Sequence, residues 1–191
     1  MTLGIEDAAF VVCGGATAFG RAVARELVDN GARVLLVGPD LQALDEAVAE
    51  LGDQALPCVA ELADPDDAAR VGGVAAALLG GVDGAVLAPV QLPRGDVLDL
   101  PAGEWVAALS QSAWGPLGLL RGIVPLLEQG GTVVYVLPAE AAERDAGRVV
   151  RSMLEALLEE LARMLPPGIR LRRIEADPEL AREAARLLAQ P

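Results

Sequence analysis

The stretch Cys13-Gly14-Gly15-Ala16-Thr17-Ala18-Phe19-Gly20 holds the residues best suited to binding a ligand. It follows an apolar, β-branched run and opens a segment of helical period. A strand, a tight glycine turn and a helix start bring backbone N–H groups and the positive end of a helix dipole to one point, which suits a pyrophosphate. The same residues also suit a close strand-to-helix turn that binds nothing. Elsewhere the composition removes chemistry. All 15 basic residues are Arg, and the chain has neither His nor Lys. It therefore lacks a Ser–His or Cys–His couple, an imidazole metal ligand, a Schiff-base amine and a phosphate-loop lysine. Of the three serines, Ser110, Ser112 and Ser152, neither Ser112 nor Ser152 sits on a strained nucleophile turn. Asp64, Asp66 and Asp67 match no calcium-loop spacing, and capping accounts for all three, so no metal is expected.

The elements that must position the glycine turn alternate strictly. Strands are predicted at Ala8–Cys13, Arg33–Val37, Ala55–Ala60, Gly84–Ala88, Thr132–Leu137 and Ile169–Ile174. Helices are predicted at Ala18–Asp29, Leu41–Leu51, Pro65–Leu79, Glu104–Leu127, Gly147–Leu165 and Pro178–Ala189. Most of the strands are apolar on both faces, as a parallel sheet covered on each side requires. The fold class is α/β: a Rossmann-like, doubly wound parallel sheet of about six strands with helices on both faces. No linker, repeat or low-complexity segment divides residues 1–191, which read as a single domain. Asp64-Pro65 and Asp177-Pro178-Glu179 each place a capping carboxylate before a first-turn proline, and Asp40 reads as the cap of the second helix. Gly115-Pro116 is expected to kink the fourth helix.

Net charge is −13, so a nucleic-acid partner is not expected. Cys13 and Cys58 lie in separate apolar segments and read as buried, reduced thiols of a cytoplasmic protein. No secretory signal and no membrane span is read; the longest uncharged run, Trp105–Leu120, is too polar and too short.

On these residues the chain resembles the short-chain dehydrogenase/reductase family. Gly14 and Gly20 match the family's Thr-Gly-x-x-x-Gly-x-Gly turn, Cys13 stands at the Thr and Ala18 at the middle glycine. Ala18 is expected to press the backbone away from phosphates or to force an awkward dihedral. Gly20-Arg21-Ala22-Val23-Ala24 is similar to the first helix, Trp105 lies where the fourth crossover helix begins, and Gly168-Ile169-Arg170-Leu171 is similar to the sixth strand. The resemblance implies an NAD or NADP site at Gly14, Gly15, Ala16, Thr17, Phe19, Gly20, Glu61, Leu62, Leu87 and Ala88. Its selectivity position, at the end of the second strand, falls on Gly38 and Pro39, which can neither bond a ribose nor pair with a 2′-phosphate.

The resemblance also locates what is missing. The family's proton-transferring Tyr falls at Gly147, its Lys at Arg151, its Ser near Pro138 and its Asn at Ser112, so no catalytic residue is assigned. The single tyrosine, Tyr135, lies in the fifth strand. Arg172-Arg173-Ile174-Glu175-Ala176-Asp177 runs directly toward the last helix, where the family inserts a substrate-covering loop. The chain reads as a truncated, degenerate member without that loop and without a seventh strand. Two helices, the one with Trp105 and Trp114 and the one at Gly147–Leu165, build the family's dimer interface; Trp114 suits an interface or a core equally. Arg170, Arg172 and Arg173 either guard the sixth strand as an edge by their charge or lie under the last helix. Three functions follow: a non-catalytic protein acting as a homo-oligomer or beside an active relative; an NAD(P)-binding sensor without turnover; and an NAD(P)-dependent oxidoreductase that borrows partner residues.

Overall fold

The computed structural model describes residues 4–88, 92–127, 130–137, 145–175 and 180–190. The elements in chain order are β1 (Ala9–Cys13), α1 (Ala18–Val28), β2 (Arg33–Gly38), α2 (Leu41–Leu51), β3 (Ala55–Val59), α3 (Pro65–Leu79), β4 (Gly84–Leu87), α4 (Ala102–Leu109), α5 (Gly115–Ile123), β5 (Gly131–Leu137), α6 (Ala146–Met164), β6 (Ile169–Glu175) and α7 (Ala181–Leu188). The six strands form one sheet in the order β3-β2-β1-β4-β5-β6, and every pair is parallel. The order reverses between β1 and β4, the point at which doubly wound sheets bind ligands.

Strand alternation divides the core into two layers. Val11, Cys13, Leu35, Val37, Leu87, Val133 and Tyr135 face α3, α5 and α6, while Phe10, Val12, Val34, Leu36, Val86 and Val134 face α1, α2 and α7. Both layers are apolar, which is why β1, β2, β4 and β5 read as continuous hydrophobic runs. Pro57 is accommodated because β3 is an outer strand and pairs with β2 alone. Cys13 and Cys58 are both free and buried, and each lies opposite Val37, so the width of β2 separates them.

Local chemistry sets the helix starts. Asp40 accepts from Gln42 N–H at 2.9 Å, and Asp64 accepts from Asp66 N–H at 2.9 Å with Pro65 at the first position. The Asp177-Pro178-Glu179 reading lies outside the described residues; within them α7 begins at Ala181.

The fourth predicted helix differs most. It begins at Ala102, not Glu104, and is not one helix: α4 leads into a π turn at Ser110–Trp114, then α5, then a 3₁₀ turn at Val124–Leu126. Gly115 N–H reaches back to Ser110 C=O, and Pro116 has no N–H to offer. The interruption therefore precedes the proline by one wide turn. α5 then packs on α3 at backbone distance. A Cβ on Gly115 would stand 1.6 Å from Leu62 O, one on Gly118 2.1 Å from Pro65 O, and one on Gly122 2.3 Å from Ala69 O. A Cβ on Gly72 of α3 would stand 2.1 Å from Gly122 O. Trp105 packs against the core, whereas Trp114 is 52% exposed and is not a core residue.

Candidate dinucleotide site

The glycine turn sits at the C-terminal end of β1, beside the reversal of strand order. Gly14 has φ +71°, and a Cβ there would lie 3.2 Å from Ala88 Cβ at the end of β4. A Cβ on Gly15 would meet Leu36 Cβ at 2.8 Å, and one on Gly20 would meet Gly14 O at 2.2 Å. All three positions need glycine: the first for its dihedral, the others because strand and helix approach so closely. Gly14 and Gly15 N–H both donate to Val37 C=O, at 2.9 and 3.1 Å. Thr17 caps α1 by accepting from Gly20 N–H at 3.0 Å while its hydroxyl donates to Gly14 C=O at 2.7 Å. Among the described residues the N–H groups of Ala16, Ala18 and Phe19 meet no acceptor. These are the donors a phosphate would use.

Ala18 corrects one expectation. It is the exposed first residue of α1, and Asp7 is the one non-glycine with positive φ among the described residues, so the methyl forces no awkward dihedral. The ring of Phe19 packs against the α1-side core.

The other expected contacts divide into two groups. Leu62, Leu87 and Ala88 come together with Cys13, Gln111, Gly115, Pro116 and Leu119 around an apolar cavity of about 20 Å³. Burial of Cys13 pushes its thiol far above the ordinary range, so it stays protonated. Glu61, by contrast, is exposed and turned toward its own loop: its carboxylate accepts from Ala63 N–H at 3.0 Å, and its N–H donates to Asp67 Oδ2 at 2.7 Å. At the end of β2 the nearest atom to a Cβ on Gly38 would be Leu44 Cδ2, at 3.7 Å. Asp40, the nearest acid along the chain, is occupied as the α2 cap.

Asp67 holds the β3–α3 loop through Glu61 N–H, with Arg70 as a second partner, and both hold its carboxyl below the ordinary carboxylate range. A lowered folded-state pKa contributes stability above the unfolded-state value, and that contribution is lost as pH falls through the folded value. In an NMR pH titration Asp67 is expected to protonate below the ordinary aspartate range, with the Glu61 amide resonance moving in the same step. Movement of the Glu61 amide at the ordinary aspartate pKa would contradict this.

The positions matched to the family's catalytic groups are committed elsewhere. Gly147 is buried in the first turn of α6 and its N–H donates to Asp145 Oδ1 at 3.0 Å. Arg151 pairs with Glu155 at 3.1 Å and with Glu175 at the end of β6 at 2.8 Å. Ser112 Oγ–H donates to Ala108 C=O within its own helix. Pro138 lies outside the described residues. Tyr135 is 2% exposed, and its hydroxyl donates to Ser112 C=O at 2.5 Å. That carbonyl is available because Pro116, four residues on, has no N–H. Burial pushes the phenol well above its ordinary pKa, the opposite of what a proton-transferring phenol needs.

Three contacts were not anticipated from the sequence. Arg21 joins the glycine turn to α2 by donating to Ala16 C=O at 3.1 Å and pairing with Glu50 at 2.8 Å. Asp83 Oδ2 accepts from Ala9 N–H at 2.7 Å at the start of β1. The Tyr135–Ser112 bond is the third; its one local signal is the proline at 116. Among the described residues no group of three or more His, Cys, Asp or Glu side chains could hold a metal, and no helix is long and apolar enough to cross a membrane.

Sheet order, switch point and glycine turn define a Rossmann-like α/β domain. Residues 14–188 match the family described as enoyl-(acyl carrier protein) reductase. Human dehydrogenase/reductase SDR family member 4 is 30% identical over 158 residues, 78% of this chain and 57% of that protein. SDR family member 7B of Danio rerio is 28% identical over 144 residues, 70% of this chain and 46% of that protein. The chain thus spans about half the length of these relatives. A metagenomic short-chain oxidoreductase in complex with NADP superposes with a TM-score of 0.88 at 23% identity, covering 98% of this chain and 92% of the other. NAD+-bound xylitol dehydrogenase superposes with a TM-score of 0.82 at 21% identity, covering 90% and 70%. The chain belongs to the short-chain dehydrogenase/reductase family.

Proposed function

We propose that this chain is a degenerate, non-catalytic short-chain dehydrogenase/reductase that acts through protein contacts, first of all with a second copy of itself. One observation carries the reading: among the described residues, the groups at positions where the family places its proton-handling residues, Ser112, Gly147 and Arg151, are already bonded into the scaffold. Gly147 N–H is held by the Asp145 cap of α6, Arg151 joins α6 to β6, and the one phenol in the chain is buried on Ser112 C=O. Only residues 176–180 lie between β6 and α7, too few for a substrate-covering insertion.

The apolar surface supports self-association. Val106, Trp114, Val149 and Met153 are exposed on the α4–α6 side, and aromatic residues are favoured in interface cores. Light scattering of the purified chain is expected to give a dimer, and Trp114→Glu with Met153→Glu a folded monomer. A strict monomer, both alone and co-expressed with an active relative, contradicts the reading.

A second reading, an NAD(P)-binding sensor without turnover, is favoured by the free N–H groups at Ala16, Ala18 and Phe19. Gly14, Gly15, Thr17 and Gly20 would shape the phosphate cradle. With no ribose acceptor at Gly38 or Pro39, NADH and NADPH are expected to bind alike in calorimetric titration. No binding of either at millimolar concentration removes this reading and leaves the first intact.

A further inference from the structure

The glycine turn contains a peptide plane that is held at both ends. Thr17 N–H donates to Gly14 C=O at 2.9 Å, and Ala16 C=O, in the same plane, accepts from Arg21 Nε at 3.1 Å. Among the described residues that carbonyl has no other donor: Gly20 N–H goes to Thr17 Oγ1, and Arg21 N–H to Thr17 C=O. The Ala16 and Ala18 N–H groups, two of the three that meet no acceptor, belong to the planes on either side. A plane fixed at one end only can flip, and the flip re-aims both of them.

Arg21 is itself braced. Its Nη1 donates to Glu50 Oε1 at 2.8 Å and its Nη2 to Ala43 C=O at 3.3 Å, both on α2, and its side chain is only 26% exposed. Glu46 lies 3.9 Å from Nη2, so the charge of Arg21 is already matched by acids. What Arg21 gives the turn is therefore a fixed direction more than a net positive charge. A planar fork reaches three acceptors at once, and an ammonium group lacks that geometry. Arg25, one turn further along α1, carries the same charge and donates to Glu50 C=O at 2.7 Å, with no bond to the turn among the described residues.

We propose that Arg21 is a positioning residue of the dinucleotide site: by holding Ala16 C=O it sets the backbone amides that receive the phosphates. The inference rests on the NAD(P)-sensor reading and names a residue on which the affinity of that site depends. Donors fixed in advance bind more tightly because little order is lost at the moment of binding.

The test is a calorimetric titration of the full chain with NADH, with amide exchange followed in the free protein. Arg21→Gln is expected to weaken binding about tenfold or more, and Arg25→Gln, the same change of charge on the same helix, by less than about twofold. Arg21→Lys is expected to bind about as weakly as Arg21→Gln. Without ligand, Thr17 N–H is expected to exchange faster, relative to the amides of β1, in Arg21→Gln and not in Arg25→Gln. A general loss of stability would speed both sets of amides together. Equal NADH binding by Arg21→Gln and the parent, equal losses in the two glutamine variants, full rescue by lysine, or unchanged exchange at Thr17 would each overturn the proposal and leave the sensor reading standing. A parent chain that binds no NADH removes that reading and the proposal with it.

Discussion

Gly72→Val is expected to lower the melting temperature by about 6–12 °C, the equivalent of about 3 kcal/mol for a domain of this size. The first added carbon would stand 2.1 Å from Gly122 O, well inside van der Waals contact, and the obstructing atom is backbone. A side chain can rotate away from such a clash, but a helix must translate. α5 cannot move off α3 without also lifting Gly115, Gly118 and Gly122 from Leu62, Pro65 and Ala69. Gly73→Ala is the control: a Cβ there meets nothing within 4 Å, so replacing a helical glycine is expected to stabilise by about 0.5–1 kcal/mol. The sign change between adjacent residues, read by thermal unfolding, separates close packing from a general effect of mutating α3. A Gly72→Val protein as stable as the parent would show that the two helices are not in backbone contact.

Tyr135→Ala is the second large effect, an expected loss of about 3–5 kcal/mol from an aromatic side chain removed from a filled core. Tyr135→Phe divides that loss. It keeps the ring among the α3- and α6-side residues but leaves Ser112 C=O buried with no donor, since Pro116 supplies none. An unsatisfied buried acceptor costs about 1–3 kcal/mol, so the phenylalanine variant should lie between parent and alanine in denaturant unfolding. Equal stability of Tyr135→Phe and the parent would mean that the hydroxyl does not hold the π turn. The phenol serves the scaffold.

These two sites also mark where sequence reasoning stops. The strands were legible because β1, β2, β4 and β5 are buried on both faces and carry unbroken apolar runs. The caps at Asp40 and Asp64 were legible because a cap is chemistry between near neighbours. The split of the predicted Glu104–Leu127 helix was not, because the π turn is held by Tyr135, twenty-three positions away along the chain. Pro116 announced an interruption but not its form. The same division runs through the candidate site. Gly14, Gly15 and Gly20 are a local signature, and their close approach to Leu36 and Gly14 O follows from it. The outward turn of Glu61 depends on Asp67, and the bracing of the turn by Arg21 depends on Glu50; neither partner is fixed by spacing alone. Trp114 was evenly balanced between core and surface until the helix phase was known, since a π turn shifts every side chain after it.

The proposed reading turns on two features: the chain has no lysine, and its one phenol is bonded to Ser112 C=O. The family fold persists, and on the proposed reading the groups that would move a proton are replaced or, among the described residues, bonded to their neighbours. The most direct measurement is the loss of NADH or NADPH absorbance when the purified chain, without any relative, is mixed with a panel of aldehydes, ketones and enoyl thioesters. The expected rate is that of the protein-free control for every member of the panel. Steady oxidation of either nucleotide, proportional to the amount of this chain and abolished by denaturing it, would contradict the account.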